Sequence, residues 1–303
     1  MEKTYDAVIV GAGTAGLTAA IYGARAGLDL LVLEKSYPGG QIIYAPHIEN
    51  IPGFRSVSGV DFIEGLADQV KRLGVKIMTE QVTETCFVLE PKRIITKKNE
   101  YRAKSVIIAA GAEKRKIGCP GEEKFTGRGV SYCASCDGAF YSGKDVCVVG
   151  GGNTAFDDAV YLAKTASAVH IIHRSDNFRG NTKTYEFLKG QPNVNFITHT
   201  TVTKINGGSS VESVETDTKG KTDTLPVSAV FVAVGTAPAS EIFSGVSTDN
   251  GGYIIAGEDC RTNIPGVYAA GDIRTKSLRQ VVTAANDGAV AISSLLSDIA
   301  ATH

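Results

Sequence analysis

Two stretches of the chain carry the same unit: a short apolar strand, a glycine-rich turn, a helix and a second strand. The first unit runs through the strand Asp6-Ala7-Val8-Ile9-Val10, the turn Gly11-Ala12-Gly13-Thr14-Ala15-Gly16, a helix from Leu17 to about Ala26, and a strand from Leu28 to Leu33 that ends at Glu34. The second has the strand Asp145-Val146-Cys147-Val148-Val149, the turn Gly150-Gly151-Gly152-Asn153-Thr154-Ala155, a helix to about Lys164, and a strand from Val169 to Ile172. A turn of this kind binds a pyrophosphate for physical reasons: glycine lets the backbone approach closely, and the helix N-terminus presents free N–H groups to the negative charge. The repetition predicts an α/β fold with two Rossmann-like, three-layer dinucleotide-binding domains. At 303 residues the chain has room for two such lobes with separate cores.

The two units differ where their second strands end. Glu34 lies 23 residues past Gly11, and His173 lies 23 residues past Gly150. A carboxylate at that position accepts hydrogen bonds from ribose hydroxyls, which suits the adenylate half of FAD. The second unit instead has His173 followed by Arg174 and Arg179, and arginines can hold a 2′-phosphate that a carboxylate would repel. The second site is therefore expected to prefer NADPH over NADH. The competing reading of His173 and Arg174 is a solvated strand end. Gly11, Gly13 and Gly16 in the first unit, and Gly150, Gly152, Asn153 and Thr154 in the second, are the turn residues expected to line the phosphates.

Between the repeats, Val60, Ile63, Ala67, Val70 and Leu73 recur on one face of a helix expected from about Ser58. The apolar strands Val106-Ile107-Ile108 and Ala229 to Val234 each run into small residues, Ala109-Ala110-Gly111 and Gly235-Thr236-Ala237-Pro238, which mark exits from one lobe to the other. The C-terminal part returns with the strand Val267 to Ala270, the pair Gly271-Asp272 and a final helix expected from about Leu278.

Cys133-Ala134-Ser135-Cys136-Asp137 lies directly ahead of the second unit. Two thiols separated by two residues can close a disulfide, and their surroundings can lower one pKa. Zinc usually takes four ligands, and the sequence has no second C-x-x-C and no H-x-x-x-H, so no metal is expected. Cys86, Cys119, Cys147 and Cys260 are isolated and read as structural. Asp137 reads equally as an acid exchanging protons with the thiolates or as a turn cap.

The net charge of −1 gives no sign of a nucleic-acid surface, and the longest apolar runs are of strand length, far short of a membrane span. The N-terminus leads into the first strand without a signal-peptide pattern, and one closely spaced cysteine pair suits a reducing compartment, so a cytoplasmic protein is expected.

Taken together, these stretches resemble the bacterial-type, low-molecular-weight thioredoxin reductases over essentially the full length. The resemblance rests on Gly11 to Gly16, Pro38-Gly39-Gly40-Gln41, Glu49-Asn50-Ile51-Pro52-Gly53, Cys133 to Gly138, Gly150 to Ala155, His173-Arg174, and Gly271-Asp272 with Arg279-Gln280-Val281. It implies a homodimeric FAD enzyme, with an NADPH domain (115–241) carrying the cysteine pair inserted into a split FAD domain (1–114 and 242–303). By motif, Gln41, Asn50, Asp272, Arg279 and Gln280 would contact the flavin or its linker, with Gly40 and Val281 beside them, and Glu34 would hold the adenosine ribose. Cys136 would be the thiol nearest the flavin, Cys133 the thiol that attacks the disulfide of thioredoxin, and Asp137 the acid. Electrons would pass from NADPH to flavin, to the Cys133–Cys136 disulfide and then to thioredoxin. The lobes would rotate between two states, with hinges near 111–118 and 235–242.

The sequence departs from the family pattern at Ser175, where a second arginine is common, and at Thr14, Ala110 and Asn286. Ser175 keeps open a flavin reductase of the same build that uses another donor or acceptor, such as a ferredoxin-dependent reductase or a dithiol oxidase. A third reading is a non-catalytic flavoprotein whose dithiol senses redox state.

Overall fold

The structure is a computed structural model and describes residues 3–45 and 47–301. Met1 and Glu2, part of the N-terminal segment considered above, lie outside the described residues. The chain divides into two compact units, Met1–Glu113 with Ala237–His303, and Lys114–Thr236. The passages between them fall slightly earlier than the boundaries drawn from the sequence.

The first unit is built on a seven-stranded sheet. Its parallel part places Lys76–Thr79, Leu30–Glu34, Thr4–Val10 and Glu100–Ile108 side by side. The long strand Glu100–Ile108 then splits its free edge: its last residues pair in parallel with Val267–Ala269, and its first pair antiparallel with Lys92–Thr96. The second half of the Thr4–Val10 strand, Ala7 to Val10, is a continuous buried apolar run because both of its faces are covered. Ala7 and Ile9 pack against the helices Thr14–Arg25, Gly59–Arg72 and Val281–Ala301. Val8 and Val10 face the opposite way, toward Val82, Phe87, Ile94 and Ile254.

The second unit repeats the plan. Its parallel sheet has the order Val194–Ile197, Ala168–Ile172, Asp145–Val149, Ala229–Val232, Val130–Ser131. Val146 and Val148 meet Phe156, Ala159 and Leu162 of the helix Asn153–Leu162. Cys147 and Val149 meet Val202, Ile205 and Val214 of a three-stranded antiparallel sheet. Each unit is thus a mixed α/β body around a parallel sheet, in agreement with the fold class expected from the sequence.

Two local expectations are corrected. Ser58 does cap the second helix, its hydroxyl accepting from the Asp61 N–H at 3.1 Å, but Val60 and Leu73 are 45% and 38% exposed. They sit at the helix ends, so the buried face is Gly59, Ile63, Ala67 and Val70 alone. The final helix begins at Val281 rather than at Leu278. The Thr283 hydroxyl accepts from the Gln280 N–H at 3.1 Å there, and leaves residues 278–280 as loop. The antiparallel layers, Val82–Cys86 with Lys92–Thr96 and the three-stranded sheet of the second unit, were not read from the sequence.

Candidate functional site

In the first unit, the glycines of the first turn divide by what a side chain would meet. A Cβ on Gly11 would lie 2.3 Å from the Ala109 carbonyl oxygen, and one on Gly16 would lie 1.9 Å from that of Gly11, so both are required by the protein's own packing. Gly13 is different. Its backbone is extended, at φ −77° and ψ −174°, which any residue adopts, and the one atom near its Cβ would be the Gly39 carbonyl oxygen at 3.9 Å. Gly13 therefore keeps open a space that no protein atom fills, at the N-cap of the Thr14–Arg25 helix, where no side chain caps the first N–H groups. That is a fit for a pyrophosphate.

Of the other residues expected at the flavin, Gly40 and Gly271 lie against this helix end. The Gly39 N–H donates to the Ala12 carbonyl at 2.8 Å, which brings Gly40 to face Gly13. Gln41 follows, exposed, on the 3-10 turn Gly40–Tyr44. Glu34 is buried, and its two carboxylate oxygens accept from the Ala12 N–H at 2.8 Å and the Ser36 N–H at 3.1 Å, so it shapes the turn. Gly271 packs against Ala15, where a Cβ would come within 2.9 Å of the Ala15 Cβ, and carries Asp272 to this end of the sheet. The Asn50 amide donates to the Gln280 side-chain oxygen at 3.0 Å, joining two residues 230 positions apart. Arg279 lies 4.1 Å over the Tyr253 ring and donates to the carbonyls of Asp272 and Arg274. Val281 is the first residue of the final helix.

A buried group that was not anticipated holds this corner. The Asp287 carboxylate accepts from the Arg274 guanidinium at 2.9 and 3.0 Å, from Lys276 Nζ at 2.8 Å and from the Gly271 N–H at 2.9 Å. Burial pushes the Asp287 carboxyl up, but hydrogen bonds and charge from Arg274 and Lys276 outweigh it, and the carboxyl lies below the usual range.

In the second unit, Gly150 is confined by the Ala233 carbonyl, 2.3 Å from a Cβ there, just as Gly11 is confined by Ala109. Gly152 repeats Gly13: an extended N-cap with no side-chain cap and nothing within 4 Å of a Cβ. Asn153 and Thr154 open the helix, exposed. The segment after the next strand folds back onto this turn. The N–H groups of Arg179 and Gly180 donate to the Gly151 carbonyl at 2.8 and 3.2 Å, and the Asn181 N–H donates to Asn153 Oδ1 at 2.8 Å. Arg179 is thereby held beside the glycine turn; both it and Arg174, which follows His173, are exposed. The His173 ring lies over Gly151 and tilts against Phe178 at 5.1 Å. Burial and the charges of Arg174 and Arg179 hold its pKa below the ordinary value, so it is a neutral wall and the two arginines supply the positive charge.

Cys133 and Cys136 form a disulfide, with 5.4 Å between their Cα atoms. Cys133 is the N-cap of the short helix Ala134–Asp137 and Cys136 lies within it; the N–H groups of Cys136 and Asp137 donate to the Cys133 carbonyl at 3.2 and 3.1 Å. Cys136 is exposed, Cys133 is half-buried, and Ser135 Oγ stands 3.4 Å from Cys133 Sγ. Asp137 accepts from the Ser131 hydroxyl at 2.6 Å. Burial holds its carboxyl above the usual range, with the Ser131 hydrogen bond opposing, which suits an acid able to hold a proton nearer neutrality. Of the other cysteines, Cys147 and Cys260 are buried, and burial raises the thiols of Cys119, Cys147 and Cys260, the last to about 12. Among the described residues no group of three or more His, Cys, Asp or Glu side chains is placed to hold a metal ion.

The model of the pyridine nucleotide-disulphide oxidoreductases matches residues 5–288. The chain belongs to that family. Within the pyridine nucleotide-disulphide oxidoreductases it is 43% identical over 294 residues to a thioredoxin reductase of Listeria innocua, covering 96% of this chain and 92% of the relative. It is 42% identical over 299 residues to that of Bacillus subtilis, at 97% and 94% coverage. The crystal structure of a thioredoxin reductase from Streptococcus pyogenes superposes with a TM-score of 0.94 at 37% identity, covering 99% of this chain and 100% of that one.

A second acid, Asp158, was not singled out in the sequence. Its Oδ1 accepts from the Ala134 N–H at 3.4 Å, and burial pushes its pKa up to about 6. A carboxyl raised on folding stabilises fully only below its unfolded value, and the advantage is lost as pH rises through the folded one. Asp158→Asn is therefore expected to stabilise the second unit by on the order of 2 kcal/mol at pH 8 and by almost nothing near pH 4. Thermal melts at the two pH values check this; an equal gain at both would contradict it.

Proposed function

We propose that this protein is an NADPH-dependent, FAD-containing thioredoxin reductase. The observation that carries the reading is the disulfide Cys133–Cys136 in the same unit as a complete second nucleotide turn, with a first turn of matching geometry in the other unit. Gly13, Gly40 and the open N-terminus of the Thr14–Arg25 helix would take the FAD pyrophosphate, Glu34 the ribose, and Gln41, Asn50, Asp272, Arg279, Gln280 and Val281 the flavin side. Gly152, Asn153 and Thr154 would take the NADPH pyrophosphate, and Arg174 and Arg179 its 2′-phosphate. Held by these residues, FAD would supply a means of passing an electron pair from NADPH to a disulfide.

The chain's own residues carry the exchange that follows. The Cys133 thiolate attacks one sulfur of the thioredoxin disulfide, and the other sulfur leaves as a thiolate that takes up a proton. Cys136 then attacks Cys133, restores the Cys133–Cys136 bond and releases the second thioredoxin sulfur, so two electrons and two protons have passed to the partner. Asp137 holds and returns the proton of the Cys136 side. No helix among the described residues is long and apolar enough to cross a membrane, and we place the enzyme in the cytoplasm as a homodimer without nucleic-acid partners.

Anaerobic mixing of the flavin-loaded protein with NADPH or NADH tests the donor site. Rapid bleaching by NADPH, much slower bleaching by NADH, and oxidation on adding thioredoxin are expected. The double substitution Arg174→Ala with Arg179→Ala should weaken NADPH by about 3 kcal/mol or roughly a hundredfold while leaving NADH nearly unchanged. Bleaching by neither nucleotide would favour a ferredoxin-type donor.

A further inference from the structure

Ser131 ends the strand Val130–Ser131, is 5% exposed and lies between the two groups that matter most at the disulfide. Its hydroxyl oxygen accepts from the Cys133 N–H at 3.1 Å. The same hydroxyl has two acceptors within reach, Asp137 Oδ2 at 2.6 Å and the Cys133 carbonyl at 3.3 Å. It has one proton, so it serves one acceptor at a time. With Asp137 ionised, the shorter, charge-assisted bond to the carboxylate wins. With Asp137 protonated, the carboxyl O–H can donate to Ser131 Oγ, and the serine proton is free to turn to the Cys133 carbonyl. That carbonyl is the acceptor for the N–H groups of Cys136 and Asp137, the two bonds that close the turn between the sulfurs.

We infer that Ser131 is a positioning residue with two hydrogen-bonding states, coupling the protonation of Asp137 to the backbone turn that carries Cys133 and Cys136. The inference rests on the dithiol reading above. Other groups around the turn are Asp158 and Tyr161 on the helix Asn153–Leu162, with Asp158 at the Ala134 N–H and the Tyr161 ring about Gly138, and Tyr141 on the turn Gly138–Tyr141. Tyr141 senses the Asp137 charge, and burial raises the pKa of Tyr141 and of the adjacent Tyr132, so both are uncharged near neutral pH. Asp158, which burial raises to about 6, would add a titration of its own to the profile, so the test uses an Asp158→Asn background.

In that background the full-length, flavin-loaded protein is reduced with dithiothreitol, and alkylation of Cys133 and Cys136 by iodoacetamide is followed from about pH 5 to about pH 9. A step from Asp137 is expected in the profile. Ser131→Ala should move it up by about one pH unit, because the carboxylate loses a charge-assisted hydrogen bond, and Ser131→Thr should restore it. Asp137→Asn should remove the step, and adding Ser131→Ala should then change nothing further. Superimposable profiles for Ser131→Ala and its parent, both folded by circular dichroism, would overturn the inference, as would a further shift in the Asp137→Asn protein. A purely structural serine would change melting temperature without moving the step. Failure of dithiothreitol to reduce the pair would instead overturn the dithiol reading, and this inference with it.

Discussion

Cys136→Ser is expected to lower thioredoxin-dependent NADPH oxidation by at least about a thousandfold while leaving the flavin bound. Serine is close in size to cysteine, and residue 136 is exposed, so no core contact is lost. What disappears is the second sulfur. Without it no disulfide can form with Cys133, the electron pair has no place to rest within the second unit, and a mixed disulfide between Cys133 and thioredoxin cannot be resolved by this chain. Reduction of artificial acceptors by NADPH does not use the cysteine pair and should survive, which separates loss of the exchange step from loss of the nucleotide or flavin sites. Thioredoxin turnover that persists in the variant would mean that electrons take another route. A small thioredoxin-linked rate with an accumulating covalent complex at Cys133 would support the assignment of Cys133 as the attacking thiol.

The second large effect concerns stability. Asp287→Ala is expected to cost about 3–5 kcal/mol in the first unit. The substitution leaves Arg274 and Lys276, whose side chains are 5% and 7% exposed, without their carboxylate, and it removes the acceptor of the Gly271 N–H. The energy lost is mainly that of stranding two buried cations, so Asp287→Asn, which keeps an acceptor, should cost less. Gly271–Ile273 carries Asp272, so flavin should dissociate more readily from the Ala variant. The pH dependence has a definite sign. A carboxyl lowered on folding stabilises above its unfolded pKa, near 3.9, and that contribution is lost as pH falls through the lower folded value. The gap in urea stability between the native protein and Asp287→Ala should therefore be full at neutral pH and close below about pH 4. A gap that stayed constant on acidification well below about pH 4 would show that the loss was one of packing and not of charge.

Both predictions touch residues of different legibility. Cys136 stands out in the sequence because a redox pair is written within four consecutive positions. Asp287 does not, since a single aspartate in a helical stretch reads as a solvated side chain until its burial and its partners at 274 and 276 are seen. Ser131 and Asp158 were missed for the same reason. The spacing Ser131-x-Cys133 and the position of Asp158 on the helix after the second glycine turn were visible, but nothing local says that either side chain returns to the disulfide. Ser175 stands where a second arginine is common in the family, and the structure holds the Arg179 backbone on the Gly151 carbonyl without it.

Sequence alone determined the two strand–turn–helix units, the sites of Gly13 and Gly152 and the cysteine pair, because each depends on backbone sterics and side-chain periodicity within about thirty residues. Tertiary structure alone decided which glycines are demanded by the protein's own carbonyls and which leave open space. It also decided that Asn50 meets Gln280, that His173 is a neutral wall, and that Asp137, Asp158 and Asp287, three residues of one type, have carboxyl pKa values displaced in different directions. The chemistry of a polar side chain is set by the water it loses and the partners it gains on folding, and those are brought to it from distant parts of the chain.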